Sequence, residues 1–280
     1  MLIDTHSHLN FNAFKNDVFE VIKRTLDNKI WIINVGTNFE TSKRAVDITK
    51  NYNQGVYAAI GLHPIHLEKT KVDKSEISFE KGCKIQAEEF DYEKYKTLAL
   101  KNKKVVAIGE IGLDYWNKPK NRERLEIFKK KQKETFIQQI DLAEELNLPV
   151  IIHCRTAHDD LLKILNSKFQ SSNFKMQGVV HCFTGNWSQA QKFLDMGFYL
   201  GFNGIIFKLN LNEIIKKIPN ERILIETDCP YLAPPPFQNQ RNEPLYLSYI
   251  VKRIAEVKGL SNEEVEKITT ENAVNLFKLT

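Results

Sequence analysis

The sequence predicts a TIM-type (β/α)8 barrel with additional C-terminal helices. Three observations carry this: eight short apolar runs, helical periodicity in the segments between them, and chemistry-bearing side chains placed at or just after the runs. The runs are Leu2–Thr5, Trp31–Val35, Val56–Ile60, Val105–Gly109, Val150–Ile152, Gly178–Val180, Tyr199–Phe202 and Ile223–Ile225. Each is brief and stops at polar or glycine residues, as expected of strands buried on both faces. Between the runs, Val18, Ile22 and Leu26 repeat at four-residue spacing; so do Phe136 and Ile140, and in the same helix Leu142 and Leu146. Gln189–Met196 and Leu209–Ile218 predict shorter helices, and Pro244–Val257 and Asn262–Phe277 supply the C-terminal pair. Strand and helix in alternation predict parallel strands with helical crossovers, and the count of eight favours a closed barrel. No glycine-rich phosphate fingerprint follows the first run, as an open dinucleotide-binding sheet would need.

A chain of 280 residues suits one such barrel, so a single domain over 1–280 is expected. Hydrophobic residues at 42% and charged residues at 27% argue against the disordered and membrane classes. Met1-Leu2-Ile3 runs straight into Asp4 with no signal-peptide pattern, and no later run reaches spanning length. The expectation is a cytoplasmic protein, or a nuclear one in a eukaryote, with no membrane association and no obligate protein partner. Four cysteines without paired close spacing point to reduced thiols rather than a disulfide framework. The net charge of +5, from 40 basic against 35 acidic residues, permits a polyanionic partner without identifying one. Lys129, Lys130, Lys131 and Lys133, beside Glu126 and Glu134, are expected to form a solvated helix face. The stretch Glu68–Glu89, rich in Lys, Glu and Ser, breaks the rhythm and is expected to be a surface insertion.

In such barrels the chemistry gathers at the C-terminal ends of the strands. His6 and His8 close the first run, and a spacing of two puts both on one face of an extended segment. Glu110 follows the fourth run, His153 the fifth, His181 the sixth and Asp228 the eighth. One His at a strand end is commonly a hydrogen-bonded structural residue, and one acid is commonly a helix cap. Residues of metal-binding type recurring at equivalent positions on several strands instead point to a metal centre. Cys154, Cys182 and Cys229 each sit one position after one of these residues, and if strand geometry persists they point toward the helices as packing groups. Glu226 shares the face of Asp228, and two roles are open to it: support of a ligand histidine, or an ordinary buried polar contact.

Several longer motifs carry a resemblance: Asp4-Thr5-His6-Ser7-His8-Leu9, Gly61-Leu62-His63-Pro64, Gly109-Glu110-Ile111-Gly112-Leu113-Asp114-Tyr115, His153-Cys154-Arg155, Gly178-Val179-Val180-His181-Cys182-Phe183 and Ile225-Glu226-Thr227-Asp228-Cys229-Pro230-Tyr231-Leu232-Ala233-Pro234. With Arg241-Asn242-Glu243-Pro244, Asn272-Ala273 and Leu276-Phe277, the chain resembles the TatD family of metal-dependent deoxyribonucleases over nearly its whole length. It departs from that pattern in the long Glu68–Glu89 insertion and in Phe237-Gln238-Asn239-Gln240, which replaces a basic, glycine-containing loop.

The resemblance implies a divalent-cation-dependent nuclease, often a 3′ to 5′ exonuclease, with DNA, single-stranded or at 3′ ends, as substrate. It implies two cations, one held by His6, His8, Glu110 and Asp228, the other by Glu110, His153 and His181, with Glu110 as the bridge. Four imidazoles favour zinc or another borderline transition ion, whereas the family points to magnesium, so Mg, Mn and Zn are all open. Glu110 and Asp228 are the catalytic candidates, Asp228 orienting the attacking water or accepting its proton. His63 is a third, either contacting the scissile phosphate or assisting the leaving group, with a structural role beside Pro64 as the alternative. Arg155, Lys208 and Arg241 are candidates to grip phosphate. Tyr115, Trp116, Phe183 and Phe207 are candidates to stack on bases or to pack, and Asp114 and Asn203 to support a ligand or touch substrate. Two rival functions are an amidohydrolase or esterase acting on a small molecule or aminoacyl-nucleic acid, and a noncatalytic metal-stabilised barrel that binds nucleic acid.

Overall fold

The computed structural model describes residues 1–68, 87–171 and 176–280. Its strands are β1 (Leu2–Ser7), β2 (Ile30–Val35), β3 (Val56–Ile60), β4 (Val105–Asp114), β5 (Val150–Arg155), β6 (Gly178–Val180), β7 (Tyr199–Phe202) and β8 (Ile223–Ile225). They form one eight-stranded parallel sheet in chain order, wrapped into a nearly closed barrel. Helices α1 (Val18–Asp27), α2 (Phe39–Thr49), α3 (Tyr92–Leu100), α4 (Arg122–Leu146), α5 (His158–Ser171), α6 (Trp187–Asp195) and α7 (Asn212–Lys217) make the crossovers, and α8 (Leu247–Lys258) and α9 (Asn262–Phe277) follow β8. Local chemistry starts several of them: Asn38, Asn186 and Ser261 each close a reciprocal capping box.

The core has two main parts. Ile108, Ile152, Val180 and Ile225 face outward into a large layer beneath the helices, among them Phe136, Ile140 and Leu161. Ile3, Ile33, Ala107, Ile151, Val179 and Leu224 form the barrel interior, where Ala273, Leu276 and Phe277 of α9 pack against them. Alternation along β5 and β6 therefore carries His153 and His181 inward and Cys154 outward. On β1 and β4 simple alternation fails. β1 gains a residue relative to β2 between Asp4 and Ser7, and β4 gains one relative to β5 between Ile108 and Ile111. Each bulge switches the parity of the strand, which brings His6 onto the side of Ile3 and Glu110 onto the side of Ala107.

Three expectations change here. β4 does not stop at Gly109 but runs on to Asp114, paired with β5 as far as Asp114 opposite Arg155, so Glu110 lies inside a strand. The lysine run on α4 is not simply a solvated face: Lys131 donates to the Leu67 carbonyl at 2.7 Å, Lys133 pairs with Asp160 at 2.8 Å, and Lys129 sits over the Tyr115 ring. Cys182 falls beyond β6 with a positive φ of 44°; its thiol faces Asn203 Oδ1 at 3.6 Å rather than the helix layer. Of the expected insertion, residues 69–86 lie outside the described residues; Glu88, beyond them, accepts a hydrogen bond from the Phe39 amide. Among the described residues no helix is long and apolar enough to cross a membrane.

Candidate metal centre

His6, His8, Glu110, His153, His181 and Asp228 meet at the C-terminal mouth of the barrel, together with His63. Glu110 sits at the middle, 4% exposed, and its two oxygens face different partners. Oε1 lies 2.8 Å from His181 Nε2 and 3.0 Å from His153 Nδ1. Oε2 lies 3.5 Å from His6 Nε2 and 3.8 Å from His8 Nε2. Asp228 Oδ1 completes the second group, 3.3 Å from His8 Nε2 and 3.8 Å from His6 Nε2.

The outer partners of the rings decide which nitrogen faces inward. His8 Nδ1 lies 2.8 Å from the Val35 carbonyl, which can only accept, so Nδ1 carries the proton and Nε2 presents a lone pair to the centre. Phe11 stacks on the same ring at 4.3 Å and fixes its plane. His181 Nδ1 faces Glu226 Oε1 at 3.3 Å, leaving Nε2 inward. Glu226 is fully buried and is held in turn by the Cys182 amide and by Asn203 Nδ2. Of the two roles open to Glu226 and to Asn203, support of His181 and its partner is the one the geometry gives. His153 is reversed: Nε2 faces Asp114 Oδ2 at 3.0 Å, so Nδ1 points inward.

His63 differs from these. Its Nδ1 accepts from the Ile65 amide at 3.0 Å, so in the neutral ring Nε2 bears the hydrogen, and that atom is turned toward Glu110 Oε1 at 3.4 Å. Burial lowers its pKa well below the usual imidazole value, outweighing the attraction of Glu110. Burial pushes the Glu110 carboxyl up, but the charges of His63 and His181 beside it and the hydrogen bond of His153 hold it well below the usual carboxylate range. Burial also opposes a charged His153, yet hydrogen bonds to Asp114 and Glu110 raise it to about 9. The centre thus sets an ionised carboxylate among imidazole rings whose inward nitrogens would have to give up any proton to bind a cation.

The donor set fits divalent cations. His181 Nε2 and Glu110 Oε1, though 2.8 Å apart, are not aligned as a hydrogen bond, and His181 Nε2 has no hydrogen-bond partner despite its burial. His6 Nε2 and His8 Nε2 face each other at 3.1 Å, two imidazole nitrogens converging where at most one proton fits. Buried atoms placed this way are satisfied by a cation between them. Among the described residues, His6/His8/Glu110, His6/His181/Asp228 and Glu110/His153/His181 each bring three donor atoms within 4.8 Å of one another, enough for one or two divalent ions.

The residues expected to grip phosphate are not gathered in the same way. Arg155 ends β5 on the raised β4–β5 edge, its guanidinium 4.5 Å over the Trp116 ring, which is 56% exposed. Lys208 is exposed at the end of the short turn after β7. Arg241 is committed elsewhere: Nη1 donates to the Ala13 carbonyl and Asp17, Nη2 to Asp17 and Glu243, and the group covers Phe14. These contacts make Arg241 a clasp between its own loop and the segment carrying Ala13 and Asp17. Tyr115 and Phe183 are buried and pack, whereas Phe207 is exposed. Phe11 and the Val35 carbonyl were missed by sequence reasoning, since neither residue type signals support of a ligand.

A parallel barrel with such a centre at its C-terminal mouth defines a metal-dependent hydrolase. The chain belongs to the TatD-related DNase family, whose model matches residues 3–278. It is 42% identical to the metal-dependent hydrolase YabD of Bacillus subtilis, covering all of both chains. It is 32% identical to the 3'-5' ssDNA/RNA exonuclease TatD of Klebsiella pneumoniae, covering 99% of this chain and 97% of that one. The crystal structure of YjjV, a TatD homologue from Escherichia coli, superposes with a TM-score of 0.81 at 29% identity, covering 100% and 98% of the two chains.

Proposed function

We propose that this chain is a deoxyribonuclease that hydrolyses phosphodiester bonds in DNA from 3′ ends, with single strands preferred. The carrying observation is the division of Glu110, one oxygen toward His153 and His181, the other toward His6 and His8. In this reading His6, His8, Glu110 and Asp228 hold a first cation and Glu110, His153 and His181 a second, with Mg, Mn or Zn as the metal. Two cations bound there supply a water of lowered pKa and charge to balance the oxygens of an in-line displacement. Asp228 is the most exposed carboxylate of the set, at 15%, and orients the attacking water and takes its proton. His63, neutral and with Nε2–H turned inward, donates a hydrogen bond to a phosphoryl oxygen; a neutral ring does not supply the leaving group's proton. Arg155 and Lys208 contact flanking phosphates. The preference for 3′ ends of single strands rests on the name of the Klebsiella relative. We place the activity in one domain spanning 1–280, in the cytoplasm or, in a eukaryote, the nucleus.

The test is metal-reconstituted protein offered 3′- and 5′-labelled single-stranded DNA, duplex DNA, RNA, and ester and amide panels, with Glu110→Ala as control. Stepwise shortening from the 3′ end, absent in the variant, is expected. Turnover of an amide or small ester with DNA left intact would make the chain an amidohydrolase or esterase instead.

A further inference from the structure

Asp114 lies outside both ligand groups, yet each of its polar atoms on the β4 extension is engaged. Its amide donates to Gln132 Oε1 at 2.8 Å, and its carbonyl accepts from Gln132 Nε2 at 3.0 Å, so a buried side chain of α4 clamps both backbone polar groups of the residue. Its carboxylate is held as firmly: Oδ1 accepts from the Trp116 amide at 2.9 Å, and Oδ2 faces His153 Nε2 at 3.0 Å. The pairing of β4 with β5 past the barrel brings the two residues together, with Gly112 opposite His153 and Asp114 opposite Arg155.

We propose that Asp114 is the positioning residue of the second cation: anchored by Gln132 and Trp116, it accepts a hydrogen bond from His153 Nε2–H and so turns Nδ1 toward Glu110. The proposal rests on the two-cation reading above. A carboxylate behind a ligating imidazole fixes both its tautomer and its plane and raises its basicity. Asp114 also lies close to His63 and His153, as though the three could hold an ion of their own. The hydrogens argue otherwise, because His63 bears its hydrogen on Nε2 and His153 offers its own Nε2 hydrogen to Asp114. Asp114 thus faces donors where a cation would need lone pairs.

The experiment titrates metal-free, full-length protein with Mn(II). Equilibrium dialysis gives the affinities and electron paramagnetic resonance reports the exchange-coupled pair, neither of which requires turnover. Asp114→Ala is expected to weaken the second ion by roughly 10- to 100-fold and to abolish the coupled signal, with the first ion unchanged. The decisive arm is a double-mutant cycle with His153→Asn, which keeps an oxygen near the place of Nδ1 but has no Nε2 to hold. In that background Asp114→Ala should cost nothing more, whereas a general structural role would add its full penalty. Should Asp114→Ala lose the folded circular-dichroism spectrum without metal, Asp114→Asn carries the same cycle. Normal affinity for the second ion in the variant, or an undiminished penalty in the double variant, overturns the proposal. So does loss of a third ion with the coupled pair intact. Wild-type protein that never takes up a second ion overturns the two-cation reading and the proposal together.

Discussion

Asp4 reaches across the seam between the first and last strands to hold Thr227. Its Oδ2 accepts from the Thr227 hydroxyl at 2.5 Å and its Oδ1 from the Thr227 amide at 2.9 Å. Beside it, Thr5 donates to the Ile225 carbonyl and the Asp228 amide to the His6 carbonyl. Among the described residues no regular ladder joins β8 to β1, so side chains share the closure. Asp4→Ala strands buried donors on both strands and is expected to cost roughly 2 to 4 kcal/mol. Denaturant unfolding of metal-free protein checks this; an unchanged midpoint would show that the seam closes without Asp4.

If Glu110 bridges two cations as proposed, Glu110→Gln keeps the shape of the side chain but removes its charge from between them. Retention of the second metal should fall, with turnover on DNA down by more than about 100-fold, beyond the effect of losing a supporting contact. Metal content and DNA cleavage measured on one preparation decide it, and two tightly held ions with near-normal turnover would remove Glu110 from its central role.

The inward nitrogens of His153 and His181 differ, which predicts crossed responses to amide substitution. Asparagine mimics Nδ1 and glutamine Nε2, so His153→Asn should retain the second ion about 10-fold better than His153→Gln, with the order reversed at His181. Mn(II) dialysis on the four variants reads this, and the same order at both positions would refute it.

Arg241→Ala should lower stability by roughly 1 to 2 kcal/mol, from lost hydrogen bonds and packing on Phe14, and leave KM for DNA nearly unchanged. Arg155→Ala should do the converse, raising KM with both metals kept. The Arg241 hydrogen bond holds the Asp17 carboxyl below its ordinary 3.8. A depressed carboxyl stabilises the fold above its unfolded pKa and loses that contribution as pH falls through the folded value. The melting-temperature gap between wild type and Arg241→Ala should therefore narrow in acid. A gap independent of pH would mean that packing alone accounts for it.

The alternation of apolar runs and helical periods made the strands legible, β3, β6, β7 and β8 to the residue. β4 exceeded its run because Gly109, Glu110 and Gly112 interrupt the apolar pattern, while pairing to β5 and the Gln132 clamp hold the extension. The residues of the centre were legible because the topology places strand ends together. Their inward nitrogens were not, since those depend on partners such as the Val35 carbonyl and Asp114, the latter 39 positions from His153. The clasp of Arg241 was hidden for the same reason: Asp17, its partner, lies 224 positions away.

The seam also sets when the chain acquires its chemistry. His6 and His8 on β1 are made more than two hundred residues before Asp228, which takes its place against His6 only after β8 has been made. Contacts between such distant parts of a chain form late, because a long loop must close first. A nascent chain arrested before β8 holds His6, His8 and Glu110 but lacks Asp228, the fourth ligand and water-orienting group of the proposed first cation site. In the proposed mechanism, hydrolysis therefore waits on β8, and a chain that stops short of that strand is expected to leave DNA uncut.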